Sequence, residues 1–240
     1  MSKYLKSEIL KQKRSFNGKV FWAVPVICVA TAFLIMAGNF ILPSAYNWWY
    51  VLFLPFTFMY ISASLVSKEK KHNYHGLFAV SADKKQLWYA KIIAATLYLM
   101  LACLCFCALC LICGGFYGMM IPAGRIITAS LLLAVTFAWQ IPFFMFLALK
   151  LNMYVCILVS IICNFVIACD FAVKSSWWIP FCIPARIMCP VINVLPNGLP
   201  MEEGNPLGNT HVIWIGLIIT IILYGVFSVI SARIYERQEV

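Results

Sequence analysis

The sequence predicts an all-α polytopic membrane protein with six transmembrane helices, and three observations carry that prediction. First, of 240 residues 64% are hydrophobic and only 11% charged, against about 45–50% and about 25% in an average soluble domain. Second, the apolar residues fall into six runs, near 20–41, 46–66, 88–113, 126–149, 152–173 and 211–232. Each is close to the ~20 residues that cross a hydrocarbon layer. Third, the basic residues gather on one side of those runs. A soluble globule of this size has too little surface to show so much apolar side chain and stay monomeric. A soluble enzyme, a disordered chain and a small disulfide module are therefore excluded, and one membrane domain takes up residues 1–240.

Residues 2–16 read as an amphipathic helix. Leu5, Ile9 and Phe16 share a narrow face, while Lys3, Lys6, Lys11 and Arg14 fall elsewhere. Such a helix lies in the membrane interface with its lysines toward anionic headgroups; a plain basic anchor is the alternative. The first run has full spanning length and no small-residue cleavage site, so it reads as an uncleaved start. Pro55 in the second run and Pro142 in the fourth predict kinks, because proline lacks the backbone donor and clashes with the preceding turn. The loop 67–87 is basic. Ser81 suits the cap of the third helix, and Asp83 suits its first turn. Residues 71–80 read either as a short surface helix offering Tyr74, Leu77 and Phe78 or as a solvated loop. The segment 174–210 is long yet apolar and holds Pro180, Pro184, Pro190, Pro196, Pro200 and Pro206. Short helical pieces in or under the outer leaflet are expected there, with Trp177 and Trp178 at the interface.

Orientation follows from the basic residues. With the N-terminus inside, Lys3, Lys6, Lys11, Lys13, Arg14, Lys19, Lys68, Lys70, Lys71, Lys84, Lys85, Lys91, Lys150, Arg233 and Arg237 lie inside, and only Arg125, Lys174 and Arg186 lie outside. That bias predicts two cytoplasmic termini. The net charge of +10 is thus a topology signal and not a nucleic-acid footprint.

No GxxxxGK[ST], HExxH, GxSxG or dinucleotide fingerprint occurs, so nothing predicts a nucleotide, metal or cofactor site on this chain. Adjacent Glu202 and Glu203 read as a solvated acidic turn rather than a protease pair. Cys103, Cys107, Cys110 and Cys113 form a stripe on the third helix, with Cys105 beside it. Thiolates suit soft metals, but cysteine also packs as a small hydrophobe. Cys182 and Cys189 both fall in the outer segment and are candidates to pair, a question of geometry that sequence does not decide. His72 and His75 are two ligands where zinc needs three or four. Polar groups inside the spans are few, and those singled out are Gln140, Asn164 and Asp170, with Asn39 and Arg125 near the outer ends. Gln140 and Asn164 suit interhelical hydrogen bonds, and Asp170 is near enough to the outer boundary to reach headgroups.

The segments YLKSEILKQKRSF at 4–16, YNWWYVLFLP at 46–55, VSADKKQLWYAKI at 80–92 (with its VSADKK start), WQIPFFMFLALKL at 139–151 and IPARIMCPVINVLPNGLP at 183–200 resemble, in that order, the permease subunits of lantibiotic-immunity ABC transporters. These are the LanE/LanG type of LanFEG systems, within the ABC-2 permease group. The resemblance covers nearly the whole chain and leans to the LanE side; where the family often has proline before the loop acid, this chain has Ser81. It implies a non-catalytic subunit that pairs with a sister permease over two copies of a cytosolic ATPase, which alone binds ATP and magnesium. It also implies that the loop near 69–86 docks on the ATPase through Tyr74, Leu77 and Phe78, with Lys70, Lys71, Asp83 and Lys84 around them. Residues 174–210 then correspond to the segment before the last helix. Trp177, Trp178, Phe181 and Arg186, with Asp170, Glu202 and Glu203 as acidic partners, are the expected contacts for a cationic peptide lifted from the membrane. The cell implied is a Gram-positive bacterium, and the location its cytoplasmic membrane. The alternatives are an ABC-2 permease for another antibiotic or a lipid, a membrane peptidase or thiol enzyme, and a channel, the last disfavoured by the absence of a filter motif.

Overall fold

A peptide group in hydrocarbon has no water to bond, so a spanning segment must satisfy its own amides, and the helix does this without a neighbour. The computed structural model describes residues 2–13, 15–36, 38–71, 83–118, 120–202 and 204–237, with side chains for all of these but 39 and 68–71. Among the described residues six helices are long and apolar enough to cross a membrane, and we number them spans one to six: Asn17–Ile35, Ile41–Ser67, Lys84–Tyr117, Ala123–Lys150, Met153–Phe171 and His211–Glu236. An N-terminal helix, Ser2–Lys13, precedes them, and a short helix, Ile183–Ile192, lies between spans five and six. Apart from one isolated bridge between Val194 and Pro200, the described residues contain no strand pairing.

The spans begin and end close to the apolar runs, with three differences. Span one ends at Ile35 rather than 41. Span two starts at Ile41 rather than 46, because the chain turns back at Gly38, whose φ of 64° suits glycine. Span three has 34 residues, about 51 Å at 1.5 Å per residue. It therefore overruns a ~30 Å hydrocarbon layer. Its first turn carries Lys84 and Lys85.

Both expected kinks have local signatures. Before Pro55, residues Trp49–Phe53 widen into a π-helical turn. Before Pro142, the helix is interrupted at Trp139, between Ala123–Ala138 and Gln140–Lys150. In each case the missing proline donor is absorbed by a change of pitch. Span one runs unbroken through Pro25, which the apolar pattern alone did not single out. Span five has a π-helical stretch of its own, Ile162–Ile167, without a proline.

Spans two and four are the most enclosed. Trp49 stacks on Phe106 of span three at 4.5 Å, and Tyr46 meets the same ring edge-on at 5.0 Å. The Tyr46 hydroxyl lies 2.8 Å from the Ile126 carbonyl, to which it donates, and 2.9 Å from Ser130 Oγ. Phe58 packs on Phe137 and Phe144 of span four. Spans two, three and four are thus joined through aromatic rings, whose large faces bury most area per residue.

Within the apolar segment 174–210, the short helix Ile183–Ile192 is buried, while Trp178 and Leu199 are exposed. The short helix opens with Pro184 in its first turn and ends at Asn193 in the left-handed conformation, φ 54°. It packs against span six at Gly216, where a Cβ would sit 2.7 Å from Ile183 Cγ2 and 2.8 Å from Ile187 Cδ1. Gly216→Val is expected to lower stability by about 1–3 kcal/mol through overpacking, seen as a lower thermal midpoint in micelles. Gly225→Ala, where a Cβ meets open space, is expected to leave that midpoint unchanged or slightly raised.

Candidate functional site

Three places bring polar or irregular features together: the bundle end that carries both termini, the middle of spans four and five, and the opposite end.

At the terminal end the N-terminal helix turns a polar face inward. Glu8 and Gln12 are its buried residues, while Leu10 and Phe16 are 50% and 65% exposed. Of the apolar face expected to enter the membrane, Leu5 and Ile9 are half-buried and Phe16 is exposed, yet Glu8 turns fully inward. The reason is Lys91 on span three, which is 1% exposed, and a buried charge requires a countercharge. Glu8 Oε2 lies 3.1 Å from Lys91 Nζ, and Glu8 Oε1 lies 2.7 Å from Lys11 Nζ. Burial pushes the Glu8 carboxyl up, but Lys91 and Lys11 pull it down further, and it is held below its ordinary 4.5. A second polar link follows: Asn17 Nδ2 of span one donates to Gln12 and, at 2.6 Å, to Ser64 Oγ of span two. Gly18 permits this closeness, since a Cβ there would lie 2.9 Å from the carbonyl oxygens of Gln12 and Lys13.

Asp83 caps span three itself, rather than sitting inside its first turn. Its Oδ1 accepts from the Gln86 amide at 3.1 Å, and its own amide donates to Tyr4 of the N-terminal helix at 3.3 Å. The Gln86 amide bond is the main cause that holds the exposed Asp83 carboxyl below its ordinary range. Lys84, half-buried, begins the helix. Of the other expected ATPase contacts, Tyr74, Leu77 and Phe78 lie outside the described residues, as do Ser81 and the side chains of Lys70 and Lys71.

In the middle of the bundle Gln140 and Asn164 form a reciprocal amide pair. Gln140 Nε2 donates to Asn164 Oδ1 at 2.9 Å, and Asn164 Nδ2 donates to Gln140 Oε1 at 3.0 Å. The pair joins the interruption of span four to the π-helical stretch of span five. Between spans two and five, a crevice of about 290 Å³ opens against the π-helical turn of span two. Val51, Pro55, Phe56, Met59, Ile161 and Phe165 line it, and Ser160 is also there. An open crevice with so apolar a lining suits apolar guests.

The cysteine stripe faces the core. Cys103, Cys107 and Cys110 are buried, Cys105 and Cys113 half-buried, and all are free thiols. Among the described residues no group of histidines, cysteines and carboxylates is placed to hold a metal. Cys182 and Cys189 do not pair: their thiols point to the Ile167 and Ala185 carbonyls.

At the opposite end the expected peptide contacts separate into two sets. Trp178 is 59% exposed, Trp177 half-buried, and Glu202 exposed. Asp170 is exposed and paired with Lys174 at 2.6 Å. Phe181 is turned inward onto Trp139 at 4.9 Å and Phe143 at 5.9 Å. Arg186 is 5% exposed and donates from Nη1 to the Leu207 carbonyl at 2.6 Å, so it fastens the return loop. Asn47 of span two does the same from below, donating to the Pro196 carbonyl at 2.7 Å. Glu203 lies outside the described residues.

The Glu8–Lys91 and Asn47 links escaped the sequence reading. For the first a signal existed: Glu8 is the only acid before Glu69, and Lys91 interrupts an apolar run. No protein-family model and no curated protein matches the sequence.

Two predictions follow from the polar links. A carboxyl held below 4.5 contributes stability that is complete above that pH and is lost as pH falls through its lower folded value. Protection of the N-terminal helix, read by amide exchange corrected for intrinsic rate, is therefore expected to stay constant from about pH 7 to about pH 5 and to fall below about pH 4. Asn164→Leu strands the Gln140 amide and is expected to cost about 1–2 kcal/mol of stability in micelles. Adding Gln140→Leu is expected to cost less than its single effect, because no unpaired amide then remains.

Proposed function

We propose that the chain is the permease subunit of an ATP-driven ABC transporter of the ABC-2 group. In this reading it is not an enzyme. A separate cytosolic ATPase homodimer hydrolyses ATP, and a sister permease completes the membrane part. The observation that carries the reading is a six-span chain without a nucleotide motif whose basic residues gather at one face. That face is taken as cytoplasmic, in the cytoplasmic membrane of a Gram-positive bacterium. There Asp83 and Lys84 stand beside the docked N-terminal helix and border the loop whose aromatic residues are the proposed ATPase contacts. Aromatic anchors usually dominate such contacts.

The cargo proposed is a lantibiotic, removed from the outer leaflet to protect the cell. Trp178, Trp177, Asp170 and Glu202 are the groups at the opposite face open to an amphipathic cationic peptide. Phe181 and Arg186 shape the segment that bears them. A second reading, transport of another antibiotic or a lipid, is favoured by the apolar crevice between spans two and five.

The test is survival of a sensitive Gram-positive host expressing the chain with its ATPase and sister permease. Protection against at least one lantibiotic, lost with a hydrolysis-dead ATPase, is the expected result. Protection against bacitracin-like compounds alone supports the second reading, and protection against none opposes both. Replacing Tyr74 and Phe78 together by alanine is expected to abolish protection while the membrane subunits still assemble.

A further inference from the structure

The N-terminal helix is joined by polar contacts to spans one and three, and through Asn17 to span two. Glu8 meets Lys91 of span three, Gln12 meets Asn17 at the start of span one, Asn17 in turn reaches Ser64 of span two, and Tyr4 accepts from Asp83. Leu10 is exposed and Leu5 and Ile9 are half-buried, whereas Glu8 and Gln12 are the buried residues of the helix, so its deepest contacts are polar. A helix of 12 residues is marginal in water by itself. It therefore keeps its form only while docked.

We infer that the N-terminal helix is a latch whose folding and docking are conditional on the buried Glu8–Lys91 ion pair. A buried pair repays the loss of water only when its geometry is kept, and breaking it leaves a buried charge. Release is eased on one side, because Lys11 sits on the same helix and stays with Glu8 at 2.7 Å. Release also frees the start of span three, since Asp83 loses Tyr4, and removes Gln12 from the Asn17 that bonds Ser64 of span two. A helix held by apolar packing would lack this property, because water does not compete for its contacts. The inference is independent of what the protein transports.

The experiment is amide hydrogen exchange of the full-length protein in phosphatidylcholine nanodiscs, followed by mass spectrometry. Peptides within 2–13 report the latch, and peptides within 95–113 of span three serve as the internal reference. Glu8→Gln keeps the shape and removes the charge. It is expected to lower protection of the latch at least tenfold while the reference is unchanged. Lys91→Met is expected to do the same, and the double variant to be no worse than the more damaging single one, as for two halves of one interaction. The inference is overturned if Glu8→Gln leaves the latch protected, or if the two effects multiply. It is equally overturned if the reference peptides lose protection together with the latch, because the pair would then be a support of the whole bundle and not a latch.

Discussion

A charge removed from water must meet another charge or a set of dipoles, and this constraint fixes the ends of the bundle. Among the described residues three charged side chains are buried: Glu8, Lys91 and Arg186. Two of them meet each other at the terminal end, and the third meets a carbonyl at the opposite end. Between these fastenings a few hydrogen bonds such as Gln140–Asn164 and Tyr46–Ile126 join spans, but most of the contact is apolar and aromatic, with little orientational preference of its own. The buried charges supply that preference. They set which face of the N-terminal helix is inward and which loop closes over the short buried helix.

The same reasoning explains where the helices depart from regular pitch. Backbone irregularity in a membrane is tolerated only where protein replaces the lost partner. The π-helical turn before Pro55 packs against span three, with Trp49 on Phe106. The interruption of span four is bridged to the π-helical stretch of span five by the Gln140–Asn164 pair. These irregular stretches lie near one another, and the crevice between spans two and five opens beside them. π-helical turns are frequent at functional sites, and the crevice is an apolar space beside two of them.

The spans were legible in the sequence because length and hydropathy alone decide what crosses hydrocarbon. The kinks at Pro55 and Pro142 were legible for an equally local reason. So was the burial of 183–192, since an apolar segment too broken to span must find protein to cover it. What the sequence could not show was pairing at a distance. Leu5, Ile9 and Phe16 form an apolar face by periodicity, yet the fold seats the helix on Glu8, because Lys91 lies 83 positions away. Arg186 read as an outward contact because its neighbours are loop-like; its partner, the carbonyl of Leu207, belongs to a return path with no sequence pattern. Phe181 and Trp178 look alike in sequence, and only the packing of Trp139 and Phe143 separates the inward ring from the outward one.

A permease reading makes the chain one part of a larger machine, with its motor on another polypeptide. Native mass spectrometry of the assembly extracted gently from source membranes tests this most directly. The account predicts a complex in which this chain and a second membrane subunit carry two copies of a cytosolic protein that binds and hydrolyses ATP. A chain that leaves the membrane only by itself, as copies of itself or with lipid, and with no nucleotide-hydrolysing partner, would contradict it.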